Sequence, residues 1–550
     1  MASVDSAAPE SESAVARACA RERDSSRNVV LIGFKNQGNL GLGYLAATLE
    51  SVGYHVEVVD FEAPREETLG TILRLDPVVV GFSLIFQFYV HRFEELARFL
   101  RAHGVDCHFT IGGHFPSLSP AETLTLVPQL DSVARFEGEL TLLELSDRIG
   151  LGEDWHDIEG IGYMRRGEVV LTEMRPLLAD LDELPRPHPM VETRPILGRK
   201  VAQLIASRGC ARTCSFCSIH MFYRVAPGKV VRTRRPAEVA RDMRDLLDDT
   251  GATVVLFQDD DFPMFGPAWH RWTRSLLEEI HAQDLVGRML WKVNCRADAA
   301  DPELLAEMRE AGLYMVYMGL ESGSESSLLT LHKQIDVAQN EAAVATMKEL
   351  GILFDFGFMM LDPSSTFESI LENVAFLRRI VGDGSMAAEF CRMVPYDGTP
   401  IKDQLAAEGR LRGDVINPDY DFLDPRIELF FQRVNEALNV TGWIHGLRAL
   451  SPQLKFAWNE LAVIQGFIPS LPGLDGYHER LRGITRKSNE TLMQVVDDLV
   501  AVCRDGAEQT FLPDELAQRC SSYVDDLLYE RNAYVLANQE QLLAAVGVAA

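Results

Sequence analysis

Short apolar, β-branched runs alternate with amphipathic stretches along most of the chain. NVVLIGF (28–34), HVEVVDF (55–61), PVVVGFS (77–83) and CHFTIGG (107–113) read as strands of a mostly parallel sheet. Between the first two, Leu42, Leu45, Ala46 and Leu49 share one helical face, and FEELARFLRAHG gives a further helix. The alternation predicts an α/β, flavodoxin-like (Rossmann-type) domain over 28–150. Gly81, Gly112 and Gly113 fall at carboxyl ends of its strands. Ligands of open α/β sheets bind there, and glycine lets them approach the backbone.

A second series follows. Candidate strands lie at 201–207, 253–260, 289–298, 313–322, 353–361 and 387–395, with amphipathic helices between them. This predicts a partial (β/α)6 TIM barrel over 196–412, with its chemistry at the carboxyl ends of the strands. Residues 151–195 read as a connector, with a hairpin-like IGYMRRGEVVL and an extended, Pro-rich LADLDELPRPHP. From 413 to 550 the period is helical: Ile427, Phe430, Phe431, Val434 and Leu438 form one stripe. The aromatics there, including Trp443, Phe456 and Trp458, read as core packing. Residues 1–27 are polar and rich in Ala, Ser and Glu, and read as a disordered lead without the apolar segment of a secretory signal.

Composition narrows the function. The net charge of −28 argues against nucleic acid as the main partner. No apolar run is long enough to span a membrane. Nine cysteines, clustered at one place only, favour metal binding over disulfides and a reducing cytoplasm.

That cluster is VAQLIASRGCARTCSFCSIH, with Cys210, Cys214 and Cys217 in Cys-x3-Cys-x2-Cys spacing after an apolar strand. Three thiolates can hold three irons of a cubane and leave the fourth open to chelate S-adenosylmethionine (SAM). The competing reading is a structural zinc site completed by His220. A long β/α series after the motif, rather than a small zinc-built unit, speaks against zinc.

These motifs resemble a known family. GLGYLAATLE (41–50), GFS (81–83), IGGHFPS (111–117) and VARFEGE (133–139) resemble the cobalamin-binding domain of B12-dependent radical SAM enzymes. The cysteine loop, FQDDDF, GLESGSE and VPYDGTPI resemble the radical SAM core. The resemblance implies three cofactors: cobalamin, a [4Fe–4S] cluster on the three cysteines, and SAM. It implies cobalamin contacts from Gly41, Leu42, Gly81, Ser83, Gly112, Gly113, His114, Glu137, Gly138 and Glu139, with His114 shaping its loop rather than ligating metal. The Asp-x-His-x-x-Gly motif that ligates cobalt elsewhere is absent: the loop reads FKNQGNLG. Base-off cobalamin without a histidine ligand is therefore implied, with Asn36, Gln37 or Asn39 near its lower face.

For SAM, the resemblance implies Phe216 near the adenine, Asp260 on the ammonium and Glu321 beside the cofactor, Glu321 being otherwise a buried structural acid. Arg296 pairs either with the SAM carboxylate or with a neighbouring acid, Asp261 could instead cap the next helix, and Met359 has no assigned role. The implied activity is C-methylation: a methyl group passes from SAM through methylcobalamin to an unactivated carbon of a small-molecule or carrier-bound substrate. Likeness to antibiotic-pathway methylases points to a specialised metabolite, with an electron donor such as flavodoxin or ferredoxin. The alternatives are a cobalamin-binding radical cyclase or rearrangement enzyme, and a non-catalytic zinc- or nucleotide-binding regulator.

Overall fold

The computed structural model describes residues 27–440, residue 442 and residues 449–547. The lead expected over 1–27, apart from Arg27, and the aromatic Trp443 lie outside them. The chain divides into two units: residues up to Met190 with Phe222–Arg232, and Val191–Met221 with the chain from Thr233 onward.

In the first unit β1 (Asn28–Gly33), β2 (His55–Asp60), β3 (Val79–Ser83), β4 (His108–Gly112) and β5 (Ser132–Ala134) pair in parallel. Their order is β2-β1-β3-β4-β5. The order reverses at β1, so a switch point lies at the carboxyl ends of β1 and β3. The helix Leu40–Glu50 covers one face and buries Leu42, Ala46 and Leu49 against Leu31 and Val56. Aromatics pack elsewhere in the unit, where Phe61 stacks on Phe93 at 3.9 Å.

The hairpin expected within the connector 151–195 instead extends this sheet. β6 (Ile161–Arg165) pairs antiparallel with β5, and β7 (Glu168–Leu171) with β6. Arg166 and Gly167 both take positive φ, 54° and 87°, as a tight two-residue hairpin turn requires. The alternation in sequence marks the hairpin, but nothing local marks its partner β5.

The second unit opens with a parallel sheet of β8 (Lys200–Leu204), β9 (Ala252–Phe257), β10 (Leu290–Arg296), β11 (Leu313–Glu321) and β12 (Leu353–Phe358), neighbours in sequence being neighbours in space. Each strand after β8 is preceded by a helix, and proline opens the first three of these: Pro236–Thr250, Pro267–Ala282 and Pro302–Glu310. Proline suits that position because its missing N–H would lack an intrahelical partner anyway. Capping boxes start the next two, Asp336 with Gln339 and Thr366 with Ser369. The sixth segment, expected over 387–395, joins by a bridge rather than a ladder. Leu361 exchanges backbone hydrogen bonds with Cys391 and Met393. Pro363, two residues on, has no N–H to extend the pairing.

The C-terminal region is helical, as its period predicts: Pro425–Val440, Leu450–Phe467, Leu474–Asp505, Pro513–Ala537 and Gln539–Ala544. Ile427, Phe430, Val434 and Leu438 are fully buried. Trp458 is buried and donates to Thr485 Oγ1 at 3.0 Å. Phe456 is half-buried beneath the Arg194 guanidinium.

Two buried asparagines tie the GLESG turn after β11. Asn373 Oδ1 accepts from Gly323 N and Ser322 Oγ, each at 2.7 Å, and Asn340 Nδ2 donates to the carbonyls of Leu320 and Ser322. A Cβ on Gly323 would lie 2.1 Å from Cβ of Phe376. Gly323→Ala should therefore cost about 1–3 kcal/mol through overpacking, read as a lower midpoint in denaturant unfolding of the full chain.

Candidate active site

In the first unit the switch point is lined by small residues. Gly33 and Ser83 end β1 and β3, and a Cβ on Gly33 would stand 3.0 Å from Ser83 Cβ. Asn39 Oδ1 accepts from Leu42 N, and Asn39 Nδ2 donates to Ser83 Oγ at 3.2 Å. This turns Asn39 inward, while Asn36 and Gln37 stay exposed. Gly41 is exposed beside Asn39, whereas Leu42 is buried. Gly112 and Gly113 end β4, and Gly113, at φ 117°, passes so close to Leu84 that a Cβ would lie 2.1 Å from its carbonyl oxygen. This edge, nearly bare of side chains, suits a ligand that approaches the backbone, as cobalamin would.

Two expectations change here, at Gly81 and Glu137. Gly81 sits inside β3 rather than at its end, and a Cβ there would meet Leu31 Cδ2 at 2.9 Å. The missing Cβ there serves core packing. Glu137 is held in a buried pair: Arg232 donates to both of its oxygens at 2.9 Å, and Leu178 N donates at 3.0 Å. Its carboxylate is therefore engaged by protein; Gly138 and Glu139 begin the helix Glu139–Leu151. His114 opens a short helix and packs on Phe222, with ring centroids 4.7 Å apart. Burial pushes its imidazole down to about 4, so it is neutral at ordinary pH.

In the second unit the cysteine loop follows β8, and carboxylates just beyond β9 fasten it. Asp259 accepts from Ala206 N at 3.2 and 3.1 Å and from Ser207 Oγ at 2.5 Å. Asp260 accepts from Gly209 N at 2.9 Å. Asp260 was expected on the SAM ammonium; here it holds the backbone just before Cys210. The next helix begins only at Pro267, with Gly266 at its cap, so Asp261 does not cap it. Asp261 is half-buried 3.9 Å from Cys210 Sγ, with its covered Oδ1 lacking a hydrogen bond among the described residues.

Arg296 resolves toward the neighbouring acid. Its Nε donates to Asp298 at 2.9 Å, one terminal nitrogen to the Lys333 carbonyl at 2.6 Å, and the other lies 3.6 Å from Cys214 Sγ. Arg212 meets Asp298 from the other side at 2.9 Å. Glu321 ends β11 at φ 65° and pairs with Lys333 Nζ at 2.8 Å. Met359 N donates to the Glu321 carbonyl, so Met359 helps fix that strand end. Phe216 is half-buried against the core. Lys333 and Arg212 escaped sequence reasoning because no local pattern carries them, whereas Asp298 falls where the strand ends were expected to gather the chemistry.

The thiols are the donor type that holds the irons of a cluster. Burial pushes Cys210 up to about 12 and Cys217 up to about 11, and raises Cys214. Neighbouring thiols add to the effect at Cys210 and Cys217. Metal must displace their protons, which couples cluster assembly to proton release. His220 Nδ1 lies 3.0 Å from the Cys217 carbonyl. Among the described residues, no three His, Cys, Asp or Glu side chains are placed to hold one metal ion. Cys210, Cys214 and Cys217 are the residues that would hold three irons of a cubane.

A family model described as the B12 binding domain matches residues 34–146, and one described as the Radical SAM superfamily matches residues 204–377. The chain belongs to the cobalamin-binding radical SAM enzymes. It is similar to an uncharacterised methyltransferase of Pyrococcus horikoshii, 27% identical over 383 residues, which cover 68% of this chain and 79% of that protein. It is also similar to the anaerobic magnesium-protoporphyrin IX monomethyl ester cyclase of Rubrivivax gelatinosus, 26% identical over 352 residues. That match spans 61% of each protein. In fold it is similar to OxsB, a cobalamin-dependent SAM radical enzyme solved with aqua-cobalamin and SAM bound. The TM-score is 0.62 at 17% identity, over 95% of this chain and 83% of that one.

The cofactors of this radical SAM enzyme are thus cobalamin, SAM and a four-iron cluster. Among the described residues no helix is long and apolar enough to cross a membrane. A cavity of about 640 Å³ opens at the amino-terminal ends of the barrel strands, lined by Gly312, Leu313, Leu353, Trp458 and Arg482. That face of a β/α barrel serves stability, and the candidate site is at the other end.

Replacing Cys210, Cys214 or Cys217 by alanine should abolish the reducible four-iron cluster and SAM cleavage, whereas His220→Ala should keep its iron; iron and sulfide analysis with low-temperature EPR checks both. Loss of metal in His220→Ala, with zinc in the wild type, would restore the zinc reading. His114 gives a pH test. The unfolded chain takes up its proton near 6.5 and the fold only near 4. Stability is then lost as pH falls between those values. His114→Gln should show a smaller drop in thermal midpoint than wild type between pH 7 and pH 5.

Proposed function

We propose that this enzyme is a C-methyltransferase acting on a small-molecule or carrier-bound substrate of specialised metabolism. The observation that carries the reading is the pairing, on one chain, of a B12-binding domain with a three-thiol radical SAM loop. When bound, the cluster supplies the electron that cleaves SAM, and cobalamin supplies the methyl-carrying metal. The protein's share is positioning and exclusion of water. Asp259 and Asp260 hold the cysteine loop, Arg296 steadies Cys214, and Glu321 with Lys333 marks the strand end where SAM would lie. An electron donor such as a flavodoxin or ferredoxin completes the system, and a cytoplasmic location suits it.

The cyclase relative supports a second reading, a radical cyclisation or rearrangement without methyl transfer. Isotope labelling separates the two. Reconstituted enzyme should be incubated anaerobically with reductant, a substrate panel and SAM deuterated on its methyl group. Methylation through cobalamin gives a product with all three deuteriums, together with S-adenosylhomocysteine and 5′-deoxyadenosine in equal amounts. A product of unchanged carbon count, formed with 5′-deoxyadenosine alone, would establish the second reading.

A further inference from the structure

The barrel lumen is built in layers. At the amino-terminal ends of the strands an apolar layer closes it: Val201, Val254, Leu290 and Tyr314 pack with Val463 of the helix Leu450–Phe467. At the carboxyl ends lie Arg296 and Glu321. The layer between carries polar side chains beside the apolar Leu256 and Met315. Lys292 comes from β10, Tyr317 from β11 and Asp355 from β12, while Trp291, Val293, Val316 and Phe354 face the outer core.

This middle layer is not filled. β11 has a strand on each side, yet Tyr317 is 36% exposed. A Cβ on Gly357 of β12 would lie 2.9 Å from the Tyr317 hydroxyl, so the ring leans across the inside of the sheet. Cys391, on the segment beside β12, is exposed as well. A hollow therefore lies inside the sheet, where an ordinary barrel is packed with side chains.

The charges around it are unequally satisfied. Lys455, from the helix Leu450–Phe467, pairs with Asp355 at 2.8 Å and with Glu389 at 3.1 Å. Glu192 accepts from Gln203 at 2.5 Å. Lys292 has neither a hydrogen bond nor an ion pair among the described residues; its ammonium lies 5.5 Å from the centre of the Tyr317 ring. Asp355 and Glu192 act on it only from beyond ion-pair distance, and burial lowers its pKa from the usual lysine range. A half-buried ammonium without a direct counter-ion leaves charge unneutralised, which an arriving anion would offset.

We propose that Lys292 binds an anionic group of the substrate, a carboxylate or a phosphate, inside the barrel lumen. Lys292 lies four residues before Arg296 on β10, roughly 13 Å along the strand from the end that steadies Cys214. A substrate anchored there must be elongated to bring a carbon to the cluster end. The proposal rests on the barrel as the catalytic unit and is independent of whether the reaction is methylation or rearrangement.

The test uses cluster-loaded wild-type enzyme and methyl acetyl phosphate, a small monoanion that acetylates amines near which it binds. Peptide mass spectrometry should find Lys292 acetylated at least tenfold faster than the surface residue Lys487. Millimolar inorganic phosphate or acetate should protect it, and whichever protects at lower concentration names the anion. Acetylation of Lys292 no faster than that of Lys487, or undiminished by either anion, would overturn the proposal. Lys292→Met gives a second reading by calorimetry of the protecting anion: at least tenfold weaker binding is expected, and unchanged binding would count against the assignment. Neither readout needs turnover, so failure of the methylation reading leaves both intact.

Discussion

The cysteine loop depends on adjacent carboxylates just beyond β9. A loop that must present three thiols to metal cannot satisfy its own backbone, because its residues are committed to a shape other than helix or strand. Asp259 and Asp260 satisfy it instead, by accepting from Ala206, Ser207 and Gly209. Burial pushes Asp259 up to about 7, so holding this carboxylate away from water has a cost. Arg296, Asp298 and Arg212 then form a second set of charges beside Cys214.

Much of this was legible in the sequence because strand periodicity and cysteine spacing are local signals. The parallel strands, the proline-started helices and the three thiols all came from windows of a few residues. What failed was long-range. Glu137 looked open until Arg232, ninety-five residues later, closed on it. Gly81 looked like a strand end until the length of β3 and its neighbour Leu31 were known. Asp260 looked wholly available to SAM until the backbone of Gly209, fifty-one residues earlier, took one of its oxygens.

One local signal went unread. Strands buried on both faces of a parallel sheet are ordinarily apolar throughout. In β10, Lys292, Asn294 and Arg296 alternate with Trp291, Val293 and Cys295, and in β12 Asp355 and Gly357 alternate with Phe354, Phe356 and Phe358. A two-residue polar period inside a β/α barrel means that the inner face is a site rather than a core. The same reading places the glycines of β11 and β12, Gly319 and Gly357, inside the hollow, where they leave room for the Glu321–Lys333 pair and the Tyr317 hydroxyl.

The helix Leu450–Phe467 supplies Val463 to the floor of the barrel and Lys455 to its wall. The lumen is therefore completed by residues that leave the ribosome long after β8. Until they arrive, Asp355 and Glu389 face each other's charge without a cation, and the apolar floor is open to water. Variation along this one helix can therefore change the shape of the lumen without touching a strand or a cofactor loop.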